Sequence, residues 1–451
     1  MPYENPADSK KAENIADIRR VCRPNPLTGE ALNAFFVETD IARDPHQHTR
    51  QRIKDTLEMQ SESRILFYGH RGCGKSTELN KLVAELGDRY FTVNFSVHDE
   101  MSPVAVRAED LVLVVTHRVL QHAQQAGLKV KDDLLQPVFD YFNQTIITQK
   151  TGRDTCAEAG AGVDTKPGVL GNLIGLFAKF RTEIKLNVHS DETTVATLRK
   201  RPADLLTNAN LVIEAVRDAL PGDQRLLVIV EDLDKLDLKQ AREIYVNHVS
   251  LLTGIITNII YTIPIFLFHS PDVDAFKHGF DDVINLPMIK VTEPGGKRCS
   301  GFNTVQEIIC KRISEGLIEE SALEHLILMT GGVLRHAFEV LHRTALMANV
   351  SAPIGREQID YGLGQLRKEF WQQVTLPYDQ LPGGPERVED LYDRLAEYGR
   401  NQNKGTKNPP KTDAINQILL KACAIVEYNG EGWFGVHPLV IENLKALGRL
   451  E

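Results

Sequence analysis

The chain has 451 residues, with 52 Lys and Arg against 61 Asp and Glu and a net charge of −9. That length supplies two or three domains with ample buried core, and 42% hydrophobic with 25% charged residues excludes a disordered or fibrous chain. The acidic balance excludes a general pull toward nucleic acid or anionic membrane, so only a local basic face could serve such a partner. Six scattered cysteines (Cys22, Cys73, Cys156, Cys299, Cys310 and Cys423) include no C-x-x-C pair, which predicts reduced thiols and a cytoplasmic protein rather than a disulfide frame or zinc site. The first eleven residues are polar with no apolar core behind them, so no signal peptide is expected.

Residues 1–60 read as a polar N-terminal segment and linker that turns helical over 47–59. The apolar stretch 34–39 suits either packing against a bound base or a plain linker. His46 and His48 lack partnered acids for a metal site. An apolar strand at 65–68 then runs into GHRGCGKST: Gly69, His70, Arg71, Gly72, Cys73, Gly74, Lys75, Ser76 and Thr77. The string fits G-x-x-x-x-G-K-[ST], and its glycines let backbone N–H groups turn inward and wrap a phosphate. Glu78, Leu79, Leu82, Val83 and Leu86 continue with helical spacing, which places the loop at a helix N-terminus, where anions are favoured. Lys75 is expected to reach the β- and γ-phosphates and the Ser76 hydroxyl to bind Mg2+. Cys73 lies inside this loop, where it either fills a tolerant position or reacts.

Further strands are predicted at 91–97, 226–230, 263–268 and 283–288, separated by helical segments. This alternation implies an α/β fold, a parallel sheet between two layers of helices as in P-loop NTPases. The run 226–230 ends in Glu231, Asp232 and Asp234, at the carboxyl end where open α/β sheets bind their ligands. Residues 144–201 interrupt the rhythm as an insertion, with a Gly/Ala-rich stretch at 157–163. Its amphipathic run 169–184 is expected to pack on its own core rather than on a partner or a membrane. The stretch 251–268 is apolar enough to suggest a membrane span. Thr253, Gly254, Thr257, Asn258, Thr262 and Pro264 mark it instead as soluble core, a helix continuing from 241 and then a strand at 263–269.

After residue 288 only helices are predicted, at 304–315, 321–330 and 334–348. Two glycines precede the last of these, and Arg335 stands in its first turn. A Pro/Gly-rich linker at 376–385 leads to helices near 386–398 and 412–422, then to a hairpin signalled by Asn429-Gly430. A last helix follows, and the set suggests a winged helix. The helix that would enter a DNA groove, 411–421, offers only Lys411, Asn416, Gln417 and Lys421, with Glu427 and Glu431 near the hairpin. A protein-facing or autoinhibitory winged helix is therefore expected, with nucleic acid disfavoured as a partner. Trp433 and Phe434 are expected in a core or interface, and His437 in a structural role.

Taken together, the phosphate loop, acidic strand, helical lid with a G-G-x-L-R start and terminal winged helix resemble the AAA+/STAND class of P-loop ATPases. The likeness is nearest the branch shared by origin-recognition initiators and prokaryotic signalling or antiviral-defence ATPases. It covers the chain from about residue 35 onward, and only the two nucleotide motifs are specific. The resemblance implies ATP and Mg2+ as cofactors, with a nucleotide-binding core at 61–290, a lid at 291–375 and a winged helix at 376–451. By it, Glu231 joins Ser76 at the metal and Asp232 activates water. Ser270 takes the first sensor position near the γ-phosphate, and Arg335 takes the second, reaching over from the lid. One departure bears on the hydrolysis rate, since the class has Asp followed by Asp or Glu where this chain has Glu231 and Asp232. Arg199, Arg201, Arg298 and Arg312 are candidate fingers between copies of a homo-oligomer. Three functions stand open: an ATP-hydrolysing switch controlling a partner protein or assembly, a DNA-binding loader or transposition-type regulator, and a small-molecule kinase. The last lacks any motif naming an acceptor.

Overall fold

The computed structural model describes residues 9–46, 48–102, 105–150, 168–186, 194–347, 352–376, 384–428 and 432–451. The stretch 157–163, most of the 376–385 linker and the Asn429-Gly430 turn lie outside them. Its centre is a sheet of five parallel strands: β1 (Arg64–Tyr68), β2 (Tyr90–Ser96), β3 (Arg225–Glu231), β4 (Asn258–Ile263) and β5 (Asp282–Asn285). They run in the order β2-β3-β4-β1-β5. β1, β3 and β4 are buried almost throughout, which is why they are written as continuous apolar runs rather than alternating ones. Helix Thr49–Met59 packs on β5 and on the helix Lys75–Leu86, while Ala108–Gln125 packs on β2. This is the three-layer α/β P-loop fold expected from the sequence.

The fourth strand differs from expectation. It spans Asn258–Ile263 rather than 263–268, and Ile265–Phe268 form a short helix instead. Residues 259–268 are apolar except Thr262 and Pro264, so hydrophobicity alone does not place the strand. Pro264 decides it, because a residue with no N–H and a fixed φ cannot continue a central ladder. The preceding helix ends early, at Thr253. β5 also stops short, at Asn285, because Met288 turns away to pair with Tyr428.

The insertion after β2 is a helical bundle in which Asp132–Lys150, Val169–Lys185 and Pro202–Asp218 pack on Ala108–Gln125 or on one another. Phe142, Phe177 and Phe180 meet there with ring centroids 5.1–5.8 Å apart. The amphipathic run thus buries its stripe in its own core, as expected. Among the described residues no helix is long and apolar enough to cross a membrane.

Two apolar clusters divide the rest. Helices Ser300–Arg312, Glu320–Thr330, Leu334–Thr344 and Arg356–Gln373 enclose one core together with Ala12, Ile18, Cys22, Phe35 and Val37 from the N-terminal segment. That segment, read from sequence as a linker, is built into the all-helical layer. Ala12 bridges to Ile313, Lys311 donates to the Phe36 carbonyl, and helix Ile15–Val21 lies on Leu334–Thr344. The aromatic residues of 34–39 are therefore already packed: Phe35 sits under Arg312, and Phe36 under Arg50 and Lys81. The second cluster joins the sheet to the C-terminal elements, which are helices Val388–Asn403 and Ala414–Lys421, the antiparallel pair β6 (Ile425–Tyr428) and β7 (Trp433–Val436), and helix Pro438–Ala446. This arrangement is compatible with a winged helix. Its apolar core is continuous with that of the sheet.

Gly331 and Gly332 form the turn between helices Glu320–Thr330 and Leu334–Thr344, packed against Ile289 and against Tyr428 and Pro438 of the C-terminal elements. Both have positive φ, at 60° and 84°, and a Cβ on Gly332 would stand 1.9 Å from the Ile289 carbonyl oxygen. Gly332→Ala combines left-handed strain with a backbone clash, so it should lower the unfolding free energy by more than about 2 kcal/mol, as measured by denaturant titration.

A candidate phosphate-loop site

β1 ends at Tyr68, and the chain turns through positive φ at Gly72 (86°) and Gly74 (107°) before Lys75 opens its helix. Only glycine takes these angles without strain. The turn needs them to aim its backbone inward. Lys75 points across the loop, its Nζ donating to the Gly69 carbonyl at 2.9 Å and the His70 carbonyl at 3.0 Å. A third contact reaches Asp234 Oδ2 at 2.9 Å. Burial works against the ammonium charge, yet Asp234, with Cys73 and Asp232 beside it, outweighs burial, and the Lys75 pKa stands above its ordinary value.

Glu231 and Asp232, brought beside the loop by β3, differ in environment. Glu231 is buried at the strand end, with the Ser76 hydroxyl and the Asn94 amide on its carboxylate. Burial dominates and raises its pKa, and the neighbouring Asp232 and Asp234 add to the rise. Asp232 follows in the left-handed region, with φ 70°. Burial pushes its carboxyl up, but Lys235 Nζ at 2.6 Å from Oδ1 and the Ser96 hydroxyl at 2.6 Å from Oδ2 outweigh burial and hold it below the ordinary value. Thr262, the penultimate residue of β4, fixes this acidic turn by accepting from the Leu233 N–H at 3.2 Å.

Three distant parts of the chain close on the loop. From the N-terminal segment, the buried Arg43 donates through Nη2 to the Cys73 carbonyl at 2.7 Å and through Nη1 to that of Pro287. From the helical layer, Arg335 lies directly on Gly72, where an added Cβ would stand 2.6 Å from the Arg335 Cβ. Burial and the like charge of Arg71 both disfavour the Arg335 charge, and its Nε is buried without a hydrogen-bond partner among the described residues. From the C-terminal hairpin, the Glu427 N–H donates to His70 Nε2 at 2.7 Å. Burial, Lys75 and His269 drive the His70 pKa down to about 3, so the ring is neutral and accepts this bond. The Glu427 carboxylate meets His269 Nε2 at 3.1 Å, and the Tyr428 hydroxyl donates to the Gly331 carbonyl at 2.9 Å.

The structure therefore brings the loop, both acids and Arg335 together. Ser270 does not join them as expected. With β4 ending at Ile263, Ser270 lies beyond a helical turn, where its hydroxyl donates to the Leu267 carbonyl at 2.6 Å and accepts from the Asp272 N–H. It caps a turn. Three of the four candidate fingers are committed inside the chain. Arg199 pairs with the buried Asp110 at 2.7 Å, Arg298 with Glu324 at 2.8 Å, and Arg312 is buried beneath Phe35 and Phe338. Arg201 is exposed at the start of helix Pro202–Asp218. Among the described residues no His, Cys, Asp or Glu cluster forms a metal centre, and His437 is buried against His336 at 3.1 Å in a structural pair. Sequence reasoning left Arg43, Asn94, Ser96, Thr262 and Asp234 without roles. The signal for Asn94 and Ser96 was polar residues alternating at the carboxyl end of an apolar strand.

A magnesium-bound nucleoside triphosphate fits these groups. The loop offers a lysine and a glycine-turned backbone, Ser76 stands against a buried carboxylate as a metal-holding pair would, and Arg335 brings a buried donor that nothing among the described residues satisfies. No family model matches the chain, and no curated protein does either. Among solved structures, a Walker-type ATPase of Pyrococcus abyssi is 12% identical at a TM-score of 0.37, over 94% of this chain and 99% of the other. The Holliday junction branch migration motor RuvB of Thermotoga maritima gives 12% and 0.37 over 93% and 99%. The ORC1 protein of Aeropyrum pernix, solved in complex with DNA, gives 11% and 0.37 over 94% and 95%. At that identity and score the likeness adds nothing to the fold already visible in the strand order.

A raised carboxylate pKa means that the folded state favours the proton, so the stability this group contributes is lost as pH rises past its ordinary value. Glu231→Gln should therefore raise the thermal midpoint of the nucleotide-free protein at pH 7. The gain should narrow as the pH falls below 4.5, the ordinary value of the group, when the two proteins are followed by differential scanning fluorimetry.

Proposed function

We propose that the protein is a Mg-ATP-binding and ATP-hydrolysing molecular switch of AAA+/STAND type that controls a partner protein or assembly. The observation that carries this reading is the hydrogen bond from the Glu427 N–H to His70, because it seats the C-terminal hairpin directly on the phosphate loop. Arg335 sits on the same loop at Gly72. Filling the loop thus bears on both the helical lid and the C-terminal unit, which a plain nucleotide kinase would not need.

Bound Mg-ATP would supply a phosphoanhydride ready for cleavage and an ion that offsets its charge. Lys75 orients the phosphates, Ser76 and Glu231 hold the ion, Asp232 aligns water, and Arg335 relays the nucleotide state to the lid. Gly69–Thr77 supply the backbone cradle. The C-terminal unit is autoinhibitory while docked and meets the partner when released. Its own packing argues against a DNA loader: Asn416 and Gln417 of the helix Ala414–Lys421 are buried within the unit, where Asn416 bonds to the Tyr398 hydroxyl at 2.8 Å. Prokaryotic antiviral defence is the setting that the sequence resemblance suggests, with the effector on a separate chain.

Lys75→Ala should abolish nucleotide binding, and Asp232→Asn should bind ATP but fail to turn it over, as read by equilibrium binding and phosphate release. Turnover per molecule that rises with protein concentration would mean that a homo-oligomer completes the site. On adding a non-hydrolysable ATP analogue, amide exchange at β6 should change in the wild type but not in Lys75→Ala. A wild type that binds the analogue with β6 unaltered would refute the switch.

A further inference from the structure

We propose that Asp234 is a displaceable counter-ion for Lys75, occupying the lysine until phosphate takes its place and thereby setting nucleotide affinity. This rests on the nucleotide-binding reading above and adds a residue to which neither motif gives a role. An ammonium has three N–H donors, and all three are engaged within the protein: the Gly69 carbonyl at 2.9 Å, the His70 carbonyl at 3.0 Å and Asp234 Oδ2 at 2.9 Å. The two carbonyls belong to the loop itself and stay with it. Asp234 alone arrives from another segment and carries a charge that a phosphate oxygen can replace.

Geometry makes the pair consequential. Both side chains are nearly closed to water, Lys75 at 6% exposure and Asp234 at 8%. A buried ion pair of this kind is weakly stabilising while intact, and costly when one partner is removed. Asp234 is the middle residue of the single turn Leu233–Lys235, anchored by the buried Leu233 and its bond to Thr262. Its neighbours on the turn hold each other, Lys235 on Asp232. Lys75 therefore draws the acidic turn onto the loop, and phosphate must compete with a carboxylate already in place. A ligand to the metal would act oppositely, strengthening binding rather than opposing it.

The test compares wild type with Asp234→Asn for ADP affinity by calorimetry, with and without Mg2+. The latch predicts about tenfold tighter ADP binding in the variant under both conditions, together with a lower melting temperature without ADP and a larger ADP-induced rise. Unchanged or weaker binding would overturn it, as would a gain seen only with Mg2+. A wild type that binds neither ADP nor ATP would remove the nucleotide site itself, whereas a wild type that binds beside a variant with no gain removes only the latch. If the variant does not fold, a structure of the wild type with ADP decides the matter. Lys75 and Asp234 should then stand farther apart than the ~4 Å of an ion pair, and a pair retained at its present distance would refute the proposal.

Discussion

The organisation of this molecule depends on a short glycine-rich turn being held open from outside. Glycines give the loop after β1 its shape but also leave it with the most conformational freedom to lose. What fixes it is a set of contacts from elements far away in sequence: Arg43 on the Cys73 carbonyl, Arg335 on Gly72, Glu427 on His70, and Asp234 on Lys75. Each is worth only about a kilocalorie or two per mole. Together they make the loop the place where the N-terminal segment, helical layer, sheet and C-terminal hairpin agree on one geometry.

How much of this was legible in the sequence depends on whether the signal was local. The loop, β1 and β3 are self-announcing, because glycines at fixed offsets and unbroken apolar runs need no partner to be read. β4 was misplaced because its stretch is apolar almost throughout and only Pro264 marks the end, and the misplacement carried Ser270 with it to the wrong position. The N-terminal segment looked like a linker because Ile18, Phe35 and Val37 have no periodicity of their own and acquire meaning only against Val305, Ile309 and Leu341. Asp234 sat in plain view beside two acids with expected roles. Its contact with Lys75 depends on the left-handed backbone of Asp232, which no spacing rule reports.

The two apolar clusters qualify the picture of a sheet with appended units. The C-terminal hairpin and its helices share their interior with the central sheet, through residues such as Ile418, Val426 and Phe434. A switch that releases this unit must expose apolar surface at about 25 cal/mol per Å2. Binding energy from nucleotide or partner has to offset that exposure. The buried histidines at this boundary, His70, His269, His336 and His437, give the contact a polar part that is directional where the apolar part is not.

The N-terminal segment carries a mechanical consequence. Residues from Ala12 to Val37 are packed with the helical layer, whereas Ile53 and Leu57 of the helix Thr49–Met59 belong to the sheet's core. Between them, residues 38–46 run from one body toward the other, and Arg43 on this stretch grips the phosphate loop. The helical layer is thus leashed to the sheet at a second point besides the segment 286–299 that leads from β5 into it. A hinge with one tether swings freely. With two it is confined to a rocking motion about the line joining them, and any tilt of the helical layer pulls through Arg43 on the carbonyl of Cys73 while Arg335 moves over Gly72. Motion of the layer and the shape of the loop are in that sense one coordinate, worked by two arginines from opposite ends.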